Sequence, residues 1–382
     1  MSSSPAAAEI EKQASSGAPT VRIATFEDYS GIATLYERHG FASRSFEEWA
    51  SLWIGNPLYN ELPEWPIGWL LEDENKTIVG YLGNIPLPYV FRGRQIVAAT
   101  SRAWVVDSGF RSYSFSLLNR FFRQKSVDLF LNTTVNKNAI RGYQAFRVSR
   151  VPVGAWDQSI FWITNYRGFA ASVLANKRVP GWKLLSFPVS LGLVAQDSLP
   201  RKRVGAHKHG VSLTFVNGFD VRFDIFWEKL LSSNSDILLA TRSREVLDWH
   251  FRRALAENRA WVVIAEVGAE LVAYAIFLRR DNKQLGLDRL RLIDFQSLPD
   301  SNEVLRPMLS RALDRCRMES VHMLEIIGLS PERQRVIDDA GRRRRSLPSW
   351  LYFYKANDDR LAEALKDPRS WDPSCFDGDA SL

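Results

Sequence analysis

The turn after the strand-like run at 96–107 carries residue types suited to hold a phosphate group. The run "IVAATSRAWVVD" leads into "RSYSFS" at 111–116, after which apolar spacing predicts an amphipathic helix. Backbone N–H groups at a helix start point outward, the helix dipole favours anions, and small side chains allow close approach. The sequence therefore predicts an anion site at Arg111, Ser112, Ser114 and Ser116, although the serines could instead be helix N-caps.

A second set of residues stands on the helix predicted after the apolar run "VDLFLNTT", which begins at Val127. Asn136, Ala139 and Tyr143 are spaced so that they lie on one helical face. A helix tyrosine is most often a core residue with its hydroxyl hydrogen-bonded. The spacing alone therefore leaves a packing role and a functional role open for Tyr143.

Composition and charge limit the class of protein, but they do not identify a binding partner. The chain has 382 residues, long enough for two domains of ordinary size or one large domain. It is 46% hydrophobic and 24% charged, as expected for a globular protein. A net charge of +7 is compatible with a phosphorylated cofactor, nucleic acid or a membrane surface. The run "RRRR" at 342–345 resembles a nucleic-acid patch, with a solvated loop as the alternative. Two distant cysteines form no disulfide framework and favour a reducing compartment.

Targeting and metal signals are weak. The first 20 residues are small and polar, lack the pattern of a signal peptide, and predict a disordered tail. The longest apolar run, at 184–195, is too short to span a bilayer and contains Pro188. His207 and His209 have no third ligand nearby, so we predict no metal site. These features predict a soluble protein, and a cytoplasmic location is expected from the class of protein and not from any one residue.

The chain repeats itself at an interval of about 190 residues. The hairpin-like stretch from Trp69 resembles the one from Trp261, and the run from Val127 resembles the one from Val321. We therefore predict two similar α/β domains at 21–155 and 211–355, with at least one parallel strand pair. The segment 156–210 is too long for a simple loop and is expected to be a partly helical connector, and 356–382 form a tail.

With these motifs the chain resembles the GNAT family, the acyl-CoA-dependent N-acyltransferases. The family's pyrophosphate loop, Arg/Gln-x-x-Gly-x-Gly/Ala, is matched at Arg111, while Ser114 and Ser116 stand where it has glycines. The resemblance covers most of 21–150 and is weaker in 211–355, which looks like a degenerate copy.

A later family signature, Asn-x-x-Ala followed by Tyr four residues on, is matched by Asn136, Ala139 and Tyr143. The Gly-Phe that follows in the family is replaced by Arg147 and Val148. Two halves of this kind are also distantly similar to the peptidoglycan-bridge aminoacyl transferases and to exopolysaccharide-cluster acyltransferases, which are bacterial.

The resemblance implies tandem GNAT-like folds, each a mixed, mostly antiparallel sheet flanked by helices. It implies acetyl-CoA or another acyl-CoA as co-substrate, with its pyrophosphate on the Arg111 turn and its pantetheine arm on Asn136. It also implies that Tyr143 protonates the departing thiolate, and that backbone N–H groups between the splayed fourth and fifth strands hold the acyl carbonyl oxygen. Asp107 or Asp128 could serve as the general base, or simply be solvated.

The expected activity is acyl transfer to an amine on a small molecule or a sugar precursor of cell-surface polysaccharide. Two alternatives stay open. One is aminoacyl transfer from a charged tRNA, for which the positive charge gives slight support. The other is a non-catalytic scaffold, which the serines at 114 and 116 favour.

Overall fold

The computed structural model describes residues 18–42, 44–135, 137–154, 156–197, 210–337, 343–347 and 350–382. Residues 1–17 of the tail predicted at 1–20, Asn136, and the His207–His209 pair lie outside these residues. The strands are β1 (Thr20–Ile23), β2 (Gly68–Glu72), β3 (Ile78–Phe91), β4 (Arg94–Val106), β5 (Leu129–Val135), β6 (Ser149–Arg150), β7 (Gln158–Ile163), β8 (Val211–Val216), β9 (Leu239–Ala240), β10 (Ala260–Val267), β11 (Glu270–Arg279), β12 (Arg289–Ser297), β13 (Met323–Ile327), β14 (Arg343–Ser346) and β15 (Leu351–Ala356).

Helices cover both faces of the strands. They are α1 (Tyr29–Arg38), α2 (Phe46–Ala50), α3 (Pro57–Asn60), α4 (Ser114–Phe122), α5 (Ile140–Ala145), α6 (Tyr166–Asn176), α7 (Trp182–Asp197), α8 (Val221–Ser233), α9 (Arg244–Ala256), α10 (Leu305–Met318), α11 (Pro331–Ile337) and α12 (Asp359–Ala364). Among the helices of the described residues, none has both the length and the apolar character needed to cross a membrane.

The strands form two sheets with corresponding orders. The first sheet runs β1-β2-β3-β4-β5-β15-β6, with β9 beside β3, and the second runs β8-β10-β11-β12-β13-β7-β14. Trp69 on β2 and Trp261 on β10 occupy the same place, second from the sheet edge. In both sheets the fourth and fifth strands pair in parallel. The predicted tandem α/β arrangement of mixed sheets flanked by helices is confirmed.

The last strands of the two halves are exchanged, which the sequence analysis did not predict. Strand β7 lies within the segment expected to be a partly helical connector, and it pairs with β13 in the second sheet. Strand β15, expected to close the second domain, pairs with β5 in the first sheet. Such pairings join residues at least 160 positions apart, as in the pair of Ile163 with Met323, so no local pattern indicates which sheet a strand enters. The domain boundaries themselves stay a prediction.

A tight hairpin sets the register of β4, the strand that carries the candidate site. Arg92 and Gly93 connect β3 to β4 with φ values of 51° and 71°. Two central residues with positive φ favour the two-residue turn whose twist matches that of paired strands. The long β3–β4 pair that follows holds β4 as a rigid platform.

One continuous apolar core joins the two halves. Its buried members include Phe121 and Phe130 beside the first sheet and Phe251 and Tyr274 beside the second. The Trp249 indole N–H also donates to the carbonyl of Ser51, at 2.9 Å, across the boundary. The platform under the candidate site is therefore packed against the second half.

Candidate active site

A wedge opens between β4 and β5. Their parallel pairing comprises Ala98 with Leu129 and Ala99 with Phe130. Below these pairs Asp128 ties the two strands together, since its carboxylate accepts from the backbone N–H of Val97 at 2.9 Å. Above them the strands separate, as the family resemblance implied.

Side chains fill the start of the wedge. The Asn132 side-chain amide donates to the carbonyl oxygen of Ser101 at 3.0 Å and to its hydroxyl oxygen at 2.7 Å. The Tyr143 hydroxyl lies 2.7 Å from the same Ser101 hydroxyl. A side-chain network thus replaces the backbone ladder at this point, and it places the Tyr143 hydroxyl between the two strands.

Close packing of α5 against β4 holds Tyr143 at this position. A side chain at Gly142 would bring its Cβ within 2.7 Å of the Trp104 ring, so glycine allows α5 to approach β4. The Tyr143 ring packs between Trp104, Phe122 and Phe353 and is 4% exposed. Burial raises the pKa of Tyr143 above its ordinary value. The hydroxyl therefore stays protonated at neutral pH, the state that a proton donor requires.

The predicted phosphate turn lies between β4 and α4. It forms a 3-10 turn at Ser108–Tyr113, followed directly by the first residue of α4. Arg111 and Ser112 are exposed. The Ser114 hydroxyl donates to the carbonyl of Arg111, and the Ser116 hydroxyl donates to the carbonyl of Tyr113, each at 2.6 Å. Neither serine is the N-cap residue, which is Tyr113. Phosphate binding at this turn stays a prediction.

A bulge lies on β4 two residues beyond Ser101. The β3–β4 register shifts between the pairs Tyr81–Val105 and Gly83–Arg102, and Ala103 there has a φ of 56°. A left-handed conformation is uncommon for a residue with a Cβ and is often found at functional sites. The bulge changes the direction of the β4 backbone groups on the side where the wedge opens.

The C-terminal segment reaches the end of β5. The Asp379 carboxylate accepts from the backbone N–H of Thr133 at 2.8 Å, from the Thr133 hydroxyl at 2.9 Å, and from the Thr134 hydroxyl. Sequence reasoning missed this residue, and also Ser101 and Asn132. The Thr133–Asp379 contact joins positions 246 residues apart, so no local signal could have found it.

Three arginines of this region, Arg44, Arg102 and Arg280, lie near one another. Burial and, to a smaller extent, the nearby Arg44 guanidinium lower the pKa of Arg102 on β4 to about 10, although the Asp379 carboxylate opposes this shift. Burial and the neighbouring arginines likewise lower the pKa of Arg280, from the second half, to about 9. Arg280 donates to the carbonyl of Ser381 at 2.5 Å, so the C-terminal segment lies between the two halves here. Burial is the larger cause of both shifts, and a nearby anion would offset it.

Both acidic residues weighed as a general base are engaged elsewhere. Asp107 pairs with Arg38 at 2.8 Å and with His39 at 2.9 Å. Asp128 pairs with Arg94 at 2.6 Å and also holds β5 to β4. We therefore interpret both as structural. In the described part of the chain no three His, Cys, Asp or Glu side chains converge as metal ligands.

Comparisons with solved structures identify the fold. No protein-family model matches the sequence, and no curated protein matches it significantly. A GCN5-related N-acetyltransferase from Anabaena variabilis aligns over 89% of this chain and 73% of its own, with a TM-score of 0.53 and 12% identity. One from Kribbella flavida aligns over 90% and 73%, with a TM-score of 0.54 and 9% identity.

The N-myristoyltransferase of Saccharomyces cerevisiae, solved with bound myristoyl-CoA, is similar over 89% of this chain and 79% of its own. Its TM-score is 0.53 and its identity 11%. At these identities the likeness establishes the fold and leaves the activity to chemical argument. The chain therefore has the GNAT fold, in a two-sheet form that extends over most of its length.

Proposed function

We propose that the chain transfers an acyl group from acyl-CoA to an amine. One observation carries this proposal: pairing of β4 with β5 covers two residue pairs and then gives way to a wedge in which the Tyr143 hydroxyl lies. The likeness to acetyltransferases and to a myristoyl-CoA-binding protein, in the same fold, supports this choice. The pyrophosphate would bind at Arg111 and the N–H groups of 112–116, and the thioester would enter the wedge.

In this mechanism the acceptor amine attacks the thioester carbonyl carbon. A C–N bond forms, the C–S bond breaks, and the amine loses one proton to a base. Backbone N–H groups of β4 beyond Ala99 would hold the carbonyl oxygen as it gains negative charge. Tyr143 would donate its proton to the departing thiolate, which requires its hydroxyl to turn from Ser101 toward the sulfur. Asn136 would contact the pantetheine arm.

The acceptor is proposed to be a small molecule or a precursor of cell-surface polysaccharide, in the bacterial cytoplasm. The lowered pKa values of Arg102 and Arg280 add one feature to this proposal. An acceptor that carries a carboxylate or phosphate beside its amine would relieve the repulsion between these cations.

Transfer from a charged tRNA gains no specific support. Arg343 and Arg345, which belong to the arginine run, lie on the edge strand β14. Arg343 pairs with Asp197 at 3.1 Å, and Arg345 pairs with the buried Glu325 at 2.6 Å. These two arginines neutralise acidic side chains of the protein itself, so they contribute little free charge for RNA.

Calorimetric titration with acetyl-CoA and longer acyl-CoAs tests the proposal. Arg111→Ala should weaken binding by about 1–3 kcal/mol, the range for a charged hydrogen bond. Arg123→Ala is the matched control because Arg123 is exposed at the opposite end of the same helix. Absence of binding by the parent protein to every acyl-CoA would favour the scaffold alternative. Equal loss in both variants would place the pyrophosphate elsewhere.

A further inference from the structure

Helix α7 presents apolar side chains to solvent. Leu184, Phe187 and Leu191 are 84%, 57% and 54% exposed. Their spacing of three and four residues places them on one face of the helix. Leu185, Val189 and Val194 extend the same apolar surface at 43%, 40% and 39% exposure. A contiguous exposed surface of this kind marks an interaction site.

The polar side chains of α7 face the opposite way. Ser186 and Ser190 are buried, at 3% and 7% exposure. Their hydroxyls donate to the carbonyls of Lys183 at 2.8 Å and Phe187 at 2.6 Å, so both are satisfied within the helix itself. Two small polar residues of the helix therefore pack inward, while several large apolar residues face outward. Folding of the chain alone does not account for that pattern.

The charged side chains at the start of α7 are all basic, and its one acidic residue, Asp197, lies at the far end and pairs with Arg343. From residue 158 to residue 196 the sequence contains no Asp or Glu. The same segment carries four basic residues, of which Lys177, Arg178 and Lys183 are exposed around the turn between α6 and α7. An apolar face bordered by cations is complementary to a lipid surface with anionic headgroups. A second copy of the same face would offer these cations no acidic partner, because 158–196 contain no Asp or Glu.

We infer that the α6–α7 hairpin docks the protein on an anionic lipid surface, with α7 lying in the plane of the interface. Sixteen residues give α7 a length of about 24 Å, and it does not qualify as a membrane-crossing helix. Leu184, Phe187 and Leu191 would insert among the acyl chains, while Lys177 and Arg178 contact headgroup phosphates. This role is independent of the proposed acyl transfer.

The base of the hairpin is fixed to the protein body. Asp197, at the end of α7, accepts from the Tyr166 hydroxyl at 3.2 Å and from Arg343 at 3.1 Å. The Ser172 hydroxyl on α6 donates to the carbonyl of Gly286 at 2.6 Å. Docking through α7 would thus hold the whole protein at one orientation to the lipid surface.

Flotation of the full chain with lipid vesicles tests this inference. We expect co-flotation with vesicles that contain about 30% phosphatidylglycerol and weaker binding to pure phosphatidylcholine. The variant Leu184→Gln, Phe187→Gln, Leu191→Gln should lower the partition coefficient on the order of tenfold or more. Met318→Gln is the matched control, since Met318 is 78% exposed on another helix, and it should bind like the parent.

A second variant, Lys177→Ala with Arg178→Ala and Lys183→Ala, separates the charge contribution. It should weaken binding to anionic vesicles and leave binding to neutral vesicles unchanged. Parent protein that stays with neither vesicle type would overturn the inference. So would a dimer in light scattering that the three glutamines abolish without any vesicle binding, because a second copy would then cover this face.

Discussion

Replacing Tyr143 by Phe separates a catalytic from a packing role for this residue. The change keeps the ring among Trp104, Phe122 and Phe353 and removes only the hydroxyl. Ser101 loses one partner but keeps the Asn132 side-chain amide at 2.7 Å. We therefore expect the free energy of unfolding to fall by about 1–2 kcal/mol, as for one buried hydrogen bond.

The expected loss of turnover is much larger than this loss of stability. If the Tyr143 hydroxyl protonates the thiolate, turnover should fall on the order of 10²-fold or more. Binding of acyl-CoA should be nearly unchanged, because the proton is needed only as the C–S bond breaks. CoA release with a thiol-reactive reporter, over a panel of small amines, measures turnover. Calorimetry measures binding, and urea unfolding measures stability.

Tyr354→Phe provides the control for burial and hydrogen bonding. Tyr354 lies on β15 in the same sheet, is 5% exposed, and donates to the carbonyl of Leu365 at 3.2 Å. Its loss should cost similar stability without a comparable loss of turnover. If the Tyr143 variant turns over like the parent, another group supplies the proton. If both variants lose turnover in proportion to stability, Tyr143 is a packing residue.

Three further predictions address the core, the pH response and the C-terminal segment. Asp294→Asn leaves the buried Arg242 without the carboxylate now 2.8 Å away, and unfolding in urea should show a loss of about 3–5 kcal/mol; a loss below about 1 kcal/mol would contradict this. Burial and nearby arginines lower the pKa of His250 from 6.5 to about 3. The neutral imidazole thus favours the folded state above about pH 6.5, and stability should fall as the pH drops toward 3, by at most about 1.4 kcal/mol per pH unit; His250→Gln should flatten this dependence, and equal slopes would count against it. Asp379→Asn replaces one of the carboxylate oxygens that accept hydrogen bonds from Thr133 and Thr134 with an NH2 donor, which should weaken the anchoring of the C-terminal segment. Amide hydrogen exchange across 374–382 should therefore accelerate, and unchanged exchange would contradict this anchoring role.

The local features of the first half were predictable because local physics determines them. The predicted helix is present, but α5 begins only at Ile140, so Ala139 precedes it as the N-cap residue. The place of the Tyr143 hydroxyl beside β4 was implied by the family resemblance and not by the spacing. The apolar pattern after 111–116 predicted α4 in the same way. The arginine run was less predictable: Arg343 to Arg345 form an edge strand where a solvated loop was one expectation. Pairing with β7 and buried partners decided that outcome.

Contacts between distant segments were not predictable from the sequence. Nothing in "SWLYFYK" distinguishes pairing with β13 from pairing with β5, since either strand would bury its aromatic residues. Asp379 has no pattern that links it to Thr133. The inward-facing serines of α7 illustrate a different limit: an apolar run predicts burial, and only the structure reveals that its apolar face is turned outward.

The exchange of strands gives the second half a part in the candidate site. Phe353 of β15 contacts the Tyr143 ring, and β15 pairs with β5 along the side opposite the wedge. The segment that follows β15 then places Asp379 on Thr133. Separating the halves would therefore remove both the neighbour of β5 and one wall of the Tyr143 pocket. For this reason the second half of the chain contributes to the site, since its strand β15 holds β5 at the position where the wedge opens.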